Sequence, residues 1–368
     1  MDWTKPPFRA DHVGSLLRPK VLTSAFRSYH SGELADDEFI AIQDAAIRDV
    51  VELQESTGLK SITDGEFRRA SYWARFVERV DGLEVREAVF KFHDDHGHEK
   101  DFTAPHVAAK VGRNQPIALD EYAFLRQVVK ETAKVTLPSP PTMHFWRLNE
   151  SISAGVYGDR KAYFQDLAKV FQAELAELAA NGCSYVQLDE VPLAMLCDPT
   201  IRERVQDAGV EPGALIDDYV DLFNACLDGR PAGLTVAMHL CRGNFKSHYL
   251  SEGSYEEVAG RLFNDISVDG FFLEYDTSRA GDFQPLRRVP KDKKVILGLI
   301  STKSPEMETS DDLCARIEEA GAFIDMDQLG ISPQCGFAST AGGNPVTEDD
   351  ERAKLSLVVD VAKRMWSS

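Results

Sequence analysis

The chain has 368 residues, 43% of them hydrophobic and 27% charged, with 60 acidic against 41 basic side chains and a formal net charge of −19. That composition is globular with ample core. An acid excess of this size argues against nucleic acid or an anionic membrane surface as partner, because phosphate recognition needs basic patches. No apolar run reaches membrane-spanning length and the N-terminus carries no apolar signal core, so a cytoplasmic protein is expected.

In chain order, short β-rich runs alternate with longer amphipathic stretches. The runs fall at 11–15, 60–66, 134–140, 184–190, 234–240, 270–276, 294–300 and, more weakly, 327–333. Helical periodicity covers DEFIAIQDAAIRDVVELQESTG and DRKAYFQDLAKVFQAELAELAANG, the second stopping at Asn-Gly, a helix C-terminal signal. Strand–helix alternation predicts a parallel sheet. Eight repeats with no linker-like tract predict an α/β fold, a single (β/α)8 TIM barrel over residues 1–368, as against an open doubly wound sheet. The segment 80–133 fits this rhythm poorly and is expected to be an insertion after the second strand, over the barrel mouth. Its His93, His96 and His98 read as solvated loop histidines before they read as a metal tract.

In such a barrel the chemistry collects at the C-terminal ends of the strands. His12, Gly14 and Ser15 end the first run, Asp64 and Glu66 the second, Asp189 and Glu190 the fourth. His239 and Cys241 end the fifth, Glu274 and Asp276 the sixth, Lys303 follows the seventh, and Cys335 follows the eighth. After the third run, His144 and Trp146 are candidates for lining a second substrate's side of the site, though aromatic residues there also serve ordinary packing. The six cysteines lack disulfide-framework spacing, so most are expected to be small buried apolar residues. Cys241 is different. It stands two residues after His239, and on a strand such residues point to the same face. His239, Cys241, Glu274 and Cys335 together would offer one nitrogen, two sulfurs and one carboxylate oxygen. Thiolates with imidazole select zinc over magnesium or calcium. Ligands spread over so much of the chain need a rigid scaffold, which suits a catalytic metal better than a structural one.

The motifs MHLCRGN, LEYD and SPQCGFAS, in this order, resemble the zinc-binding segments of the cobalamin-independent methionine synthase family, in its catalytic barrel and its shorter single-barrel relatives. The likeness runs from HVGSLLRP to QCGFAS. It implies zinc bound by His239, Cys241, Glu274 and Cys335, and methyl transfer to the thiol of homocysteine. DGEFRR is similar to the segment that holds the substrate amine, implicating Glu66; VQLDEVPL implicates Asp189; HVGS, whose backbone would hold the substrate carboxylate, implicates Val13 and Ser15. One departure bears on the methyl donor. Where the folate-dependent members carry a histidine after the seventh strand, thought to protonate the departing folate nitrogen, this chain reads STKSP, with Lys303. A lysine with a pKa near 10.4 is a poor acid at neutral pH, and anion binding is an equal reading of it. The expected donor is therefore one that leaves without a proton, a methyl-corrinoid or its carrier protein, with methyltetrahydrofolate as the other candidate. Two further readings stay open: alkyl transfer to another thiol such as coenzyme M, and a zinc-stabilised barrel without catalysis.

Overall fold

The computed structural model describes residues 1–93, 99–244, 248–338 and 340–366. Its central sheet has six strands: β1 (Val135–Pro138), β2 (Tyr185–Glu190), β3 (Thr235–Leu240), β4 (Gly270–Glu274), β5 (Lys294–Ile300) and β6 (Leu329–Pro333). They lie side by side in chain order, every pair parallel. These are the third to eighth runs of the sequence, with nearly the same bounds. Apart from Thr235, every residue in them is buried. A parallel sheet covered on both faces has this pattern, and it is why the runs read as continuous apolar stretches and not as alternating ones.

Parallel crossovers are right-handed, so strands laid down in chain order carry their helices on one face. The other face is buried only if the sheet curls round its own side chains. Tyr185, Ala237, Phe272 and Ile296 form a separate buried cluster there. Beside them Lys134 pairs with Asp11 at 3.2 Å and lies over the rings of Tyr185 and Phe272. This arrangement fits a barrel. The outer helices obey their sequence signals. Helix Asp36–Thr57 opens on three acidic residues and ends at Gly58, whose φ of 92° needs the freedom of glycine. Helix Arg160–Ala180 is capped by Asp159, whose side chain accepts the Ala162 N–H.

The first two predicted strands are reduced. Residues 11–15 are represented by one parallel bridge, Ala10 to Ile331, and by the Asp11 N–H donating to the Ile331 carbonyl at 3.1 Å. Of 60–66, only Ser61–Ile62 is strand, paired in parallel with Thr132–Ala133. Side chains take over beyond it. Gln54 accepts the Thr63 N–H and donates to the Thr63 carbonyl, both at 2.9 Å, and the Thr63 hydroxyl donates to the Gly14 carbonyl at 2.6 Å. The backbone groups a strand would pair are thus satisfied locally.

Within 80–133, strands Asp81–Glu87 and Thr103–Gly112 form an antiparallel hairpin, extended by Phe92–His93 with Glu99–Lys100. Helix Leu119–Val128 then leads to Thr132–Ala133 in the ordinary strand–helix rhythm. His96, His98 and the side chain of His93 lie outside the described residues. Among the described residues no helix is long and apolar enough to cross a membrane.

Candidate active site

A cavity of about 600 Å³ opens at the C-terminal ends of the strands. Val13, Ser15, Glu66, Asp189, His239, Cys241 and Cys335 all line it, although they come from five separate parts of the chain. Glu274 and Lys303 do not line it.

The strand geometry explains the sulfur–nitrogen cluster. His239 lies near the end of β3, Cys241 follows on the same face, and Cys335 sits just past β6. Their ligand atoms all fall within 4.8 Å of one another. The two sulfurs are 3.4 Å apart, and the Gly243 N–H donates to Cys241 Sγ at 3.3 Å. Both ring nitrogens of His239 are buried without a hydrogen-bonded oxygen or nitrogen. The hydrogen bond from Cys241 pulls the Cys335 thiol well below its ordinary range, with His239 adding to it, while Cys241 is pushed up. Burial lowers His239, but Cys335 outweighs it and the imidazole ends above its usual value. Buried imidazole nitrogens without an oxygen or nitrogen partner, beside two cysteine sulfurs, fit a metal ion.

Glu274 ends β4 beside this group but is not one of the three clustered residues. Its Oε1 accepts from Lys303 Nζ at 2.8 Å and its Oε2 from the Arg242 N–H at 2.9 Å, all buried. Burial would lower the Lys303 ammonium, yet Glu274 holds it above the ordinary lysine range.

The carboxylates form the second half of the site. Glu66 sits at φ 62°, after Gly65 at φ 68°, in a turn where the Asp64 carboxylate accepts the Glu66 N–H at 2.9 Å. That left-handed conformation is strained for a glutamate and aims it inward. Its Oε1 accepts from the Thr136 hydroxyl at 2.7 Å; its Oε2 is buried with no partner. Asp189 Oδ1 accepts from Gln187 Nε2 at 2.7 Å. Burial, and then the charge of Glu66, push the Asp189 carboxyl up to about 7. Two buried carboxylates facing one cavity form a site for a cation.

Several supporting residues escaped the sequence reading. Gln187 also donates to the Val13 carbonyl at 2.6 Å, tying Val13 to Asp189; its i, i+2 spacing from Asp189 was the available signal. Arg69 is buried on Glu121, with Nη2 at 2.6 Å, and reaches Glu66 at 3.6 Å. It stands in the DGEFRR motif, but Glu121 gives no local sign of pairing with it. Gly336 has room for no side chain: a Cβ would lie 1.8 Å from Ser15 Oγ. The outer wall is aromatic, with Trp73, Phe92, Phe102 and Trp146, two of them from the hairpin segment. His144 does not line the cavity; it is buried, bonded to the Tyr219 hydroxyl at 2.8 Å and pushed down to about 3 by burial. His12 is likewise turned away, its Nε2 on the Ser61 carbonyl at 3.0 Å, and burial pushes it down to about 4.

Residues 9–364 match the family model described as the catalytic domain of cobalamin-independent synthase. The chain is 38% identical to the uncharacterized protein YxjH of Bacillus subtilis over 98% of its own length and 96% of that protein. It is 26% identical to a methionine synthase of Pyrococcus abyssi, covering 88% of this chain and 85% of that one. Among solved structures it is similar to a putative vitamin-B12-independent methionine synthase from Listeria monocytogenes, with TM-score 0.79, 32% identity and 99% of each chain covered. The chain belongs to the cobalamin-independent methionine synthase family.

Proposed function

We propose that this protein is a zinc-dependent methyltransferase that converts the thiol of homocysteine to the methyl thioether of methionine. One observation carries the reading: a sulfur–nitrogen cluster and a pair of buried carboxylates line a single cavity. His239, Cys241 and Cys335 would hold the ion, with Glu274 the fourth group that the family resemblance assigns. Zinc bound there would strip the proton from an incoming thiol, whose pKa near 8.5 otherwise leaves it mostly protonated at neutral pH, and so supply a nucleophile.

The remaining work falls to the chain's own residues. Glu66 and Asp189 bind the substrate ammonium, whose charge relieves their repulsion. The backbone at Val13 and Ser15 takes the substrate carboxylate. This recognition favours an amino-acid thiol over coenzyme M, which has no amine; a thiol without one would leave two buried charges unpaired. The donor in this reading is one that departs without a proton, a methyl-corrinoid in preference to methyltetrahydrofolate, because Lys303 is engaged by Glu274 and holds its proton tightly. The scaffold in this reading is one closed barrel, its hairpin lying over the mouth and adding Val85, Phe92 and Phe102 to the cavity wall.

The test is methionine formation by zinc-loaded protein from homocysteine, with methylcobalamin and methyltetrahydrofolate in parallel. Product with methylcobalamin above the folate rate is expected. A faster folate reaction would overturn the donor half, and failure of the protein to bind homocysteine would overturn the whole.

A further inference from the structure

We infer that Arg18 is a positioning residue for Glu66: its guanidinium pins the turn that carries the Glu66 carboxylate into the cavity, and through that turn it sets the preference for a thiol bearing an amine. The inference rests on the reading of Glu66 as a holder of the substrate ammonium and goes one step behind it, to a residue that does not itself line the cavity. Arg18 stands three residues after Ser15 in HVGSLLRP. Its side chain is buried, and its fork is directed at backbone carbonyls from two separate segments. Nη2 donates to the carbonyls of Glu66 and Arg69, both at 2.8 Å, and Nη1 to those of Ala338 at 3.3 Å and Thr340 at 3.2 Å.

The two bonds from Nη2 secure the turn where it is least favourable. Glu66 sits at φ 62°, a left-handed conformation that a glutamate keeps only where its surroundings enforce it. Arg18 holds the carbonyl on one side of that residue, and the Asp64 carboxylate takes the N–H on the other at 2.9 Å. The two bonds from Nη1 join the same turn to the segment after Cys335, where the Ala341 N–H donates to the Ala70 carbonyl at 3.1 Å and Ser71 forms an antiparallel bridge with Thr340. A planar guanidinium presents donors to both segments at once, which a point-like ammonium does not. Burial draws the Arg18 guanidinium down to about 10, with the Glu66 carboxylate opposing, so it stays charged at neutral pH. With its backbone fixed in this way, Glu66 reaches the Thr136 hydroxyl at 2.7 Å and shares the cavity wall with Asp189. Without Arg18 the turn is free to relax toward right-handed φ, and the carboxylate leaves that position.

The experiment is a double-mutant cycle on the zinc-loaded full chain, read by titration with homocysteine and with 3-mercaptopropionate, which lacks the amine. In Arg18→Met the Kd for homocysteine should rise roughly tenfold or more, the scale of one charged hydrogen bond, while the Kd for 3-mercaptopropionate stays within about threefold of native. Arg18→Met added to Glu66→Gln should cost less than about threefold beyond Glu66→Gln alone, because a residue that acts through the Glu66 charge then has nothing left to position. If Arg18→Met does not fold, the same cycle is run with Arg18→Lys, which keeps the charge but not the fork and should still lose roughly threefold or more of the preference for homocysteine. Equal losses for the two ligands in the single variant, losses that multiply in the double variant, or a native preference in Arg18→Lys would each overturn the inference. A native protein that binds both ligands equally would instead remove the Glu66 reading, and the inference with it.

Discussion

The carboxylate pair yields the sharpest quantitative expectation. Glu66 keeps one oxygen on the Thr136 hydroxyl and leaves the other buried without a partner, while Asp189 keeps one oxygen on Gln187. A substrate ammonium received by this pair makes a charged hydrogen bond to each. Exchanging either residue for its amide should cost about 1.5–3 kcal/mol of homocysteine binding, which is roughly a 10- to 150-fold rise in Kd. The two losses should not be equal. Removing the Glu66 charge also removes one of the causes that push Asp189 up to about 7, so Asp189 ionises more fully and recovers part of the loss. Asp189→Asn has no such compensation and should be the worse variant at neutral pH. The assay is calorimetric titration of zinc-loaded protein with homocysteine and with 3-mercaptopropionate, which lacks the amine. Both variants should lose affinity for the first ligand and keep it for the second. Native protein that binds 3-mercaptopropionate as tightly as homocysteine, or variants that weaken both ligands alike, would refute the reasoning.

Cys335→Ser should abolish zinc retention while circular dichroism and the unfolding transition change little, because the buried strands form a core independent of the ion; metal analysis showing one zinc per chain in the variant would contradict the site. Gly336→Ala forces a methyl group within 1.8 Å of Ser15 Oγ and should cost on the order of 1–3 kcal/mol in urea unfolding, together with weaker homocysteine binding; a variant with native stability would show that Ser15 can move freely. Glu351 accepts the Leu17 N–H at 2.8 Å, and burial pushes its carboxyl up from 4.5 to about 8. Because its folded pKa lies above its unfolded one, its contribution is fully present below about pH 4.5 and is lost as pH rises through 8. Glu351→Gln should therefore gain stability relative to the native protein between about pH 5 and about pH 8.5, and a pH-independent difference in urea unfolding would count against it.

The sequence made the site more legible than the scaffold around it. His239, Cys241 and Asp189 could be placed because fully buried parallel strands leave an unbroken apolar run whose end is unmistakable. Ser61–Ile62 could not be bounded, because Gln54, from a helix, satisfies Thr63 in place of a neighbouring strand. The resemblance named Glu274 as a ligand, yet the partner it has in this chain, Lys303, lies on the turn after the next strand, a pairing that no local pattern reveals. Arg69 with Glu121 and Ser15 against Gly336 were hidden for the same reason: each joins residues far apart in the chain that only the folded sheet brings together. His12 and His144 looked chemically capable by position, but a histidine near a strand end is as easily turned to a buried carbonyl or hydroxyl, as both are here.

The central claim is that the His239, Cys241 and Cys335 cluster holds zinc and presents it to a thiol substrate. X-ray absorption at the zinc edge of the loaded protein, recorded without and with homocysteine, tests this most directly. Two sulfur neighbours should become three on addition of homocysteine, with no such change on addition of methionine. A spectrum that homocysteine leaves unaltered would contradict the claim.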